Sequence, residues 1–237
     1  MPSGSGPNCR KPIQVPYKES LKTEVKIPAG TVTLEGNLVV PKGAIIIVLF
    51  VHGSGSSRHS PRNQFVAHLF NQAGLATLLF DLLTPEEEPE DIYTARYRFN
   101  IALLAERLVH ATQWTRNQRP TSDLPIGYFG SSTGGAAALV AAAARPHDIN
   151  AVVSRGGRPD LAGDALARVQ APTLLIVGGH DKVVLELNKQ AQQKMRCEVK
   201  LEIILGATHL FEEPGALDRV AQLASNWFRH HAAEQSK

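Results

Sequence analysis

Cysteine is almost missing from this chain. Cys9 and Cys197 are the two thiols in 237 residues, too few for a disulfide framework, and the chain reads as a reduced, cytoplasmic protein. No uninterrupted apolar run reaches membrane-spanning length, so no membrane partner is expected. Met1 to Pro7 is rich in Ser, Gly and Pro and has no apolar centre, so no secretory signal is expected there. Charge of one sign is also lacking. The net charge is +3, and the basic residues near the start (Arg10, Lys11, Lys18, Lys22, Lys26) form no dense block, so no nucleic-acid partner is expected. The nine histidines are scattered, with no Cys/His cluster at metal-site spacing, and neither a metal nor a cofactor is implied. No internal repeat is visible.

What remains is ordinary for a soluble globular protein: 43% apolar and 20% charged residues. One large α/β domain is expected over 19–232, between a flexible tail at 1–18 and a short tail at 233–237. Weak alternation over Ser20 to Ile27 and again over Thr31 to Val40 predicts two opening antiparallel strands. Ala44 to Val51 is apolar throughout, as in a strand buried on both faces of a parallel sheet. Helical spacing follows over Asn63 to Ala73, then a strand over Ala76 to Phe80. Leu83 to Asp91 reads as a Pro- and Glu-rich loop, and Thr94 to Asn117 as one long helix. Strands at Ile126 to Phe129, Ala151 to Ser154, Thr173 to Val177 and Val199 to Leu205 then alternate with helices, ending in a helix over Ala216 to Phe228. Such alternation predicts a mostly parallel sheet with helices on both faces and ligands at the carboxyl ends of its strands.

The loops at those ends carry the chemistry. Gly130-Ser131-Ser132-Thr133-Gly134 has the G-x-S-x-G pattern between an apolar strand and an alanine-rich helix, which makes Ser132 the candidate nucleophile. A serine hydroxyl needs a base, and the base needs an acid to hold its tautomer. Asp181 follows the strand ending at Val177, and His209 follows the strand ending at Leu205. Asp81 and Asp160 also close strands or loops on that side and stand as alternative acids. The oxyanion would be met by the backbone N–H of Thr133 and that of Ser54, in the loop after His52-Gly53.

The stretches VLFVHGSGS, GYFGSSTGG, VGGHD and GATHLF resemble the α/β hydrolases, most closely the dienelactone hydrolase-like group. The resemblance runs from about Lys22 to Phe228. It implies an eight-stranded sheet with one antiparallel strand near its start, and hydrolysis of small esters or lactones without a cofactor. Ser132 stands where dienelactone hydrolases carry cysteine, which favours a general carboxylesterase. A thioesterase or acyltransferase on the same triad, or a non-catalytic ligand-binding protein on the same fold, are the alternatives.

Other residues of these loops have two readings each. His52 is either a substrate contact or a structural residue of its loop. Arg58, Arg98 and Arg155 suit a carboxylate on the substrate, yet surface pairing with Glu86, Glu87 and Glu88 explains such arginines equally well. Between Ser154 and Pro172 there is no room for a large cap domain, so the site should be open and suited to short acyl groups. Leu83 to Tyr97 is the best candidate for a partial lid. A monomer or a homodimer fits the sequence.

Overall fold

In the computed structural model, residues 20–234 are described. The proposed tail at 1–18 and Cys9 lie outside them. Eight strands form one sheet: β1 (Leu21–Ala29), β2 (Val32–Val40), β3 (Ile47–Val51), β4 (Ala76–Phe80), β5 (Ile126–Ser131), β6 (Ala151–Arg155), β7 (Thr173–Gly178) and β8 (Val199–Ile204). Their spatial order is β1-β2-β4-β3-β5-β6-β7-β8. Only β2 runs against its neighbours, pairing antiparallel with both β1 and β4. The remaining pairs are parallel, as expected.

Two apolar cores sandwich this sheet, and alternation along β3 shows why. Ile47, Leu49 and Val51 enter one core, whereas Val48 and Phe50 enter the other. On the first face lie α3 (Ile101–Arg116), α4 (Thr133–Ala144) and α5 (Lys182–Lys194), together with a 3-10 helix at Pro159–Arg168. On the second lie α1 (Pro61–Gln72) and α6 (Ala216–Glu234). Here Phe50, Phe70, Phe129 and Phe228 form an aromatic cluster with ring centroids 4.9 to 5.8 Å apart. Gly127 makes room for it, since a Cβ there would sit 2.6 Å from the Phe228 ring. Among the described residues no helix is long and apolar enough to cross a membrane.

Three expectations change. Leu83 to Asp91 is not all loop, because α2 occupies Glu87–Thr94. Arg107 fixes its first turn, donating to both carboxylate oxygens of Glu87 at 2.5 and 2.7 Å and to the Leu82 carbonyl at 2.6 Å. Burial opposes charge on Glu87, yet the hydrogen bonds from Arg107 hold its pKa below the usual value. The long helix from Thr94 is also shorter. Ala95 takes a left-handed φ of 52°, and a new helix begins at Ile101 with the Asn100 side chain capping the Leu103 N–H. The final helix reaches Glu234, so 233–234 are helical rather than tail, and 235–237 lie outside the described residues. The segment after β6 is compact, and its 3-10 helix breaks at Gly163 without building a cap domain.

The glycines on either side of Ser132 are set by packing. A Cβ on Gly134 would lie 2.1 Å from the Val51 carbonyl oxygen, and one on Gly130 would lie 2.5 Å from the Gly134 oxygen. Gly134→Ala should therefore lower the urea midpoint further than Gly127→Ala. The first presses on buried backbone and the second on a ring that can shift, with costs on the order of 1–3 kcal/mol for such overpacking. Equal losses in chemical denaturation would contradict this.

Candidate active site

The turn from β5 into α4 concentrates its strain on one residue. Ser132 has φ 51° and ψ −122°, a conformation that L residues rarely adopt. Its backbone is held from both sides: the Ser132 N–H donates to the Arg155 carbonyl at 3.3 Å, and its carbonyl accepts from the Arg158 N–H at 3.0 Å. Gly53 backs the side chain, for a Cβ on Gly53 would come within 2.9 Å of the Ser132 Cβ.

Asp181 and His209 meet as the spacing predicts. His209 Nδ1 and Asp181 Oδ2 are 2.6 Å apart. An ionised carboxylate can only accept, so Nδ1 carries the proton and the neutral ring keeps its lone pair on Nε2. Asp181 also caps α5, its other oxygen accepting from the Val184 N–H at 3.4 Å. The competing acids are engaged elsewhere. Asp81 holds Arg58, and Asp160 holds Arg158 at 2.7 and 2.8 Å.

Ser132 and His209 open on one cleft of about 700 Å³. Its polar wall includes His52, Ser54, Arg62, Arg98 and Arg155, and its apolar wall includes Leu83, Ile92, Leu104 and Leu210. α2 contributes Glu88, Asp91 and Ile92, so the expected lid segment does border the site. These apolar wall residues come from separate loops and helices, and no single periodic pattern in the sequence marks them. Among the described residues no group of three or more His, Cys, Asp or Glu side chains gathers where a metal ion could be held.

The predicted oxyanion donors are adjacent but not equivalent. Thr133 is the first residue of α4, where no helical carbonyl precedes it to take its N–H. The Ser54 N–H instead donates to Thr133 Oγ1 at 2.9 Å. It can serve an oxyanion only when that hydroxyl turns aside.

The predicted substrate contacts divide. Arg58 is corrected: it is absent from the cleft wall and is ion-paired with Asp81 and, at 2.6 Å, with Glu35. His52 lines the cleft but both ring nitrogens are engaged. Leu82 N–H donates to Nε2 at 3.0 Å, so Nδ1 must carry the proton and donate to the Gly53 carbonyl at 3.0 Å. The ring thereby ties the loop after β3 to the loop after β4. Arg98 reaches the cleft with its Nε bonded to Asp91 at 2.6 Å. None of the three glutamates weighed as surface partners holds Arg58, Arg98 or Arg155.

Arg155 differs from all of these. It is 7% exposed, and its Nε and Nη1 find no hydrogen-bond acceptor among the described residues. Its guanidinium lies 5.9 Å from the centre of the Phe211 ring. Burial, reinforced by the charge of Arg62, pulls its pKa down to about 10. It remains protonated at neutral pH, a buried cation near Ser132 with no counter-charge among the described residues.

A strained serine at a strand-to-helix corner, with a His–Asp pair on the ends of two later parallel strands, defines an α/β hydrolase. The chain belongs to the α/β hydrolase fold family, which matches residues 46–175. It falls in the dienelactone hydrolase-like group. A solved structure of a dienelactone hydrolase from Anabaena variabilis ATCC 29413 is 59% identical, with a TM-score of 0.88 over 90% of this chain and 98% of that one. A Mycobacterium tuberculosis protein named as a phosphoribosyl transferase is 58% identical over 208 residues, which are 88% of this chain but 46% of that protein. The chain thus spans about half the length of that relative. A Bradyrhizobium protein named as a 2-oxo-3-(5-oxofuran-2-ylidene)propanoate lactonase is 27% identical over 190 residues, covering 72% of this chain and 73% of its own.

His52 makes stability depend on pH. Burial lowers its pKa, outweighing the Gly53 carbonyl and the charges of Asp81 and Glu88. Below the unfolded value of about 6.5 the unfolded chain binds this proton while the folded chain refuses it, so stability falls as pH drops from about 7 towards 5. His52→Gln should flatten part of that decline in urea midpoints measured against pH. A slope unchanged by the substitution would show that His52 is not its source.

Proposed function

We propose that this chain is a serine hydrolase of small carboxylic esters or lactones that bear an anionic group. The observation that carries the reading is the 2.6 Å His209–Asp181 contact on the same cleft as the strained Ser132. In the proposed mechanism His209 Nε2 takes the Ser132 proton as Oγ attacks the acyl carbon. The carbonyl π electrons move to oxygen, and the oxyanion is met by the Thr133 N–H at the positive end of α4. His209 then protonates the leaving alkoxide, and water, deprotonated by the same ring, releases the acyl group. Asp181 holds the Nδ1 tautomer and stabilises the imidazolium. Arg155 favours an acid substrate, because a carboxylate would provide the counter-charge that its buried guanidinium lacks. The propanoate lactone in the name of the Bradyrhizobium relative is of this chemical kind. We assign no phosphoribosyl transfer to this chain, since that name attaches to a protein of which it spans 46%.

Ser132→Ala should abolish turnover of p-nitrophenyl esters while circular dichroism and melting stay those of the parent. A fluorophosphonate should label the parent one-to-one at Ser132, and no labelling of folded protein would point to a ligand-binding protein instead. Product analysis with added thiol and alcohol acceptors separates hydrolysis from acyl transfer. Asp181→Asn keeps a helix-capping side chain but loses the tautomer control, so kcat should fall on the order of 10⁴-fold with little change in stability.

Arg155→Met carries a paired expectation. Loss of a charge-assisted hydrogen bond should cut kcat/KM for monoesters of dicarboxylic acids about 10- to 100-fold and leave neutral esters of equal length nearly unchanged. Removing an unpaired buried charge should at the same time raise the melting temperature. Equal losses on both substrate types would remove the anionic group from the proposal.

A further inference from the structure

Among the described residues the sheet ends at β8, whose outer edge has no strand neighbour and whose Val199 carbonyl accepts from Gln192 Nε2 at 3.4 Å. An open edge offers unpaired backbone groups to any extended partner. The opposite edge, β1, is defended: its exposed residues are Lys22, Thr23, Glu24, Lys26 and Pro28, and proline supplies no N–H. β8 also carries charge, with the Lys200 side chain 60% exposed, but it has no proline and adds exposed apolar surface. Ile203 is 40% exposed, and Leu205, just past the strand, is 88% exposed.

We propose that β8 is a homodimer interface, pairing antiparallel with β8 of a second copy about a two-fold axis at Leu201. The side-chain pattern selects both partner and register. A two-fold axis perpendicular to the sheet keeps each face on its own side, so residues facing the same way must meet. Lys200 and Glu202 share one face, and they already lie 2.7 Å apart within the chain, with side chains 60% and 25% exposed. Centred on Leu201, the pairing sets Lys200 opposite the partner's Glu202 and Glu202 opposite the partner's Lys200. On the other face it sets Ile203 opposite the partner's Val199, and Leu205 opposite the partner's Cys197. Centring on Lys200 would oppose two lysines, and centring on Glu202 two glutamates, both destabilising. Of the registers centred on Lys200, Leu201 and Glu202, the one on Leu201 is self-complementary in charge and apolar surface. The interface would end four residues before His209, and it does not depend on the chemistry at Ser132.

Sedimentation equilibrium of the full chain should give twice the chain mass, and a monomer across the accessible concentration range would overturn the proposal. Lys200→Glu and Glu202→Lys each place like charges opposite one another at two symmetric positions. Each should weaken the dimer about tenfold or more, with far-UV circular dichroism unchanged. An equimolar mixture of the two variants should regain dimer, because each strand then faces its opposite. The double variant Lys200→Glu/Glu202→Lys should dimerise on its own. A dimer indifferent to both single substitutions would place the contact elsewhere and overturn the assignment, as would single-variant monomers that neither mixing nor the double exchange restores.

Discussion

The structure depends on how closely α4 is pressed into the sheet. The Val51 carbonyl at the end of β3 lies where a Gly134 Cβ would be, and Gly130 on β5 lies against the Gly134 backbone. Nothing larger than hydrogen fits at either place. The helix can therefore start at the very end of β5, and the chain must reverse within one residue. That residue is Ser132, and its φ of 51° is the strain of the reversal. The same contact brings the loop after β3 beside the helix start, which is why Ser54 and Thr133 touch. Strain here is held by the tight packing around it.

A second organising theme is which charges have partners. Arg58 closes on Glu35 and Asp81, Arg107 on Glu87, and Arg98 on Asp91. Each of these ties a loop to the body of the domain: the glycine-rich loop through Arg58, and the two ends of α2 through Arg107 and Arg98. Arg155 sits at the end of β6 next to Ser132 and has no carboxylate partner among the described residues. Leaving an ion buried and unpaired costs several kcal/mol, which marks Arg155 as a candidate functional residue.

Most of the sheet was legible because its signals are local. β3 is apolar on both faces, β1 and β2 alternate, and each later strand runs into a glycine or polar loop. Ser132, Asp181 and His209 could be read for the same reason, since each lies at the end of a strand the pattern had already located. α2 was missed because its Pro- and Glu-rich sequence has little apolar periodicity, and Arg107, twenty residues further on, holds its first turn. The break at Ala95 was missed because alanine seldom takes positive φ. There Asp91 accepts the N–H groups of both Tyr97 and Arg98, a contact that spacing along a helix does not reveal.

The sequence by itself determined the order of elements, the serine corner and the places of Asp181 and His209 at strand ends, because these follow from periodicity and from glycine where no side chain fits. Tertiary structure alone decided the fate of the arginines. Arg58 and Arg155 look alike in the sequence, each in a polar stretch at the catalytic end of the sheet. Among the described residues, folding delivers two carboxylates to Arg58 and none to Arg155, and a charge acquires its role from what the rest of the chain places beside it. Tertiary structure likewise left β8 at the rim, where an alternation that is unexceptional in the middle of a sheet becomes a surface that can pair with itself.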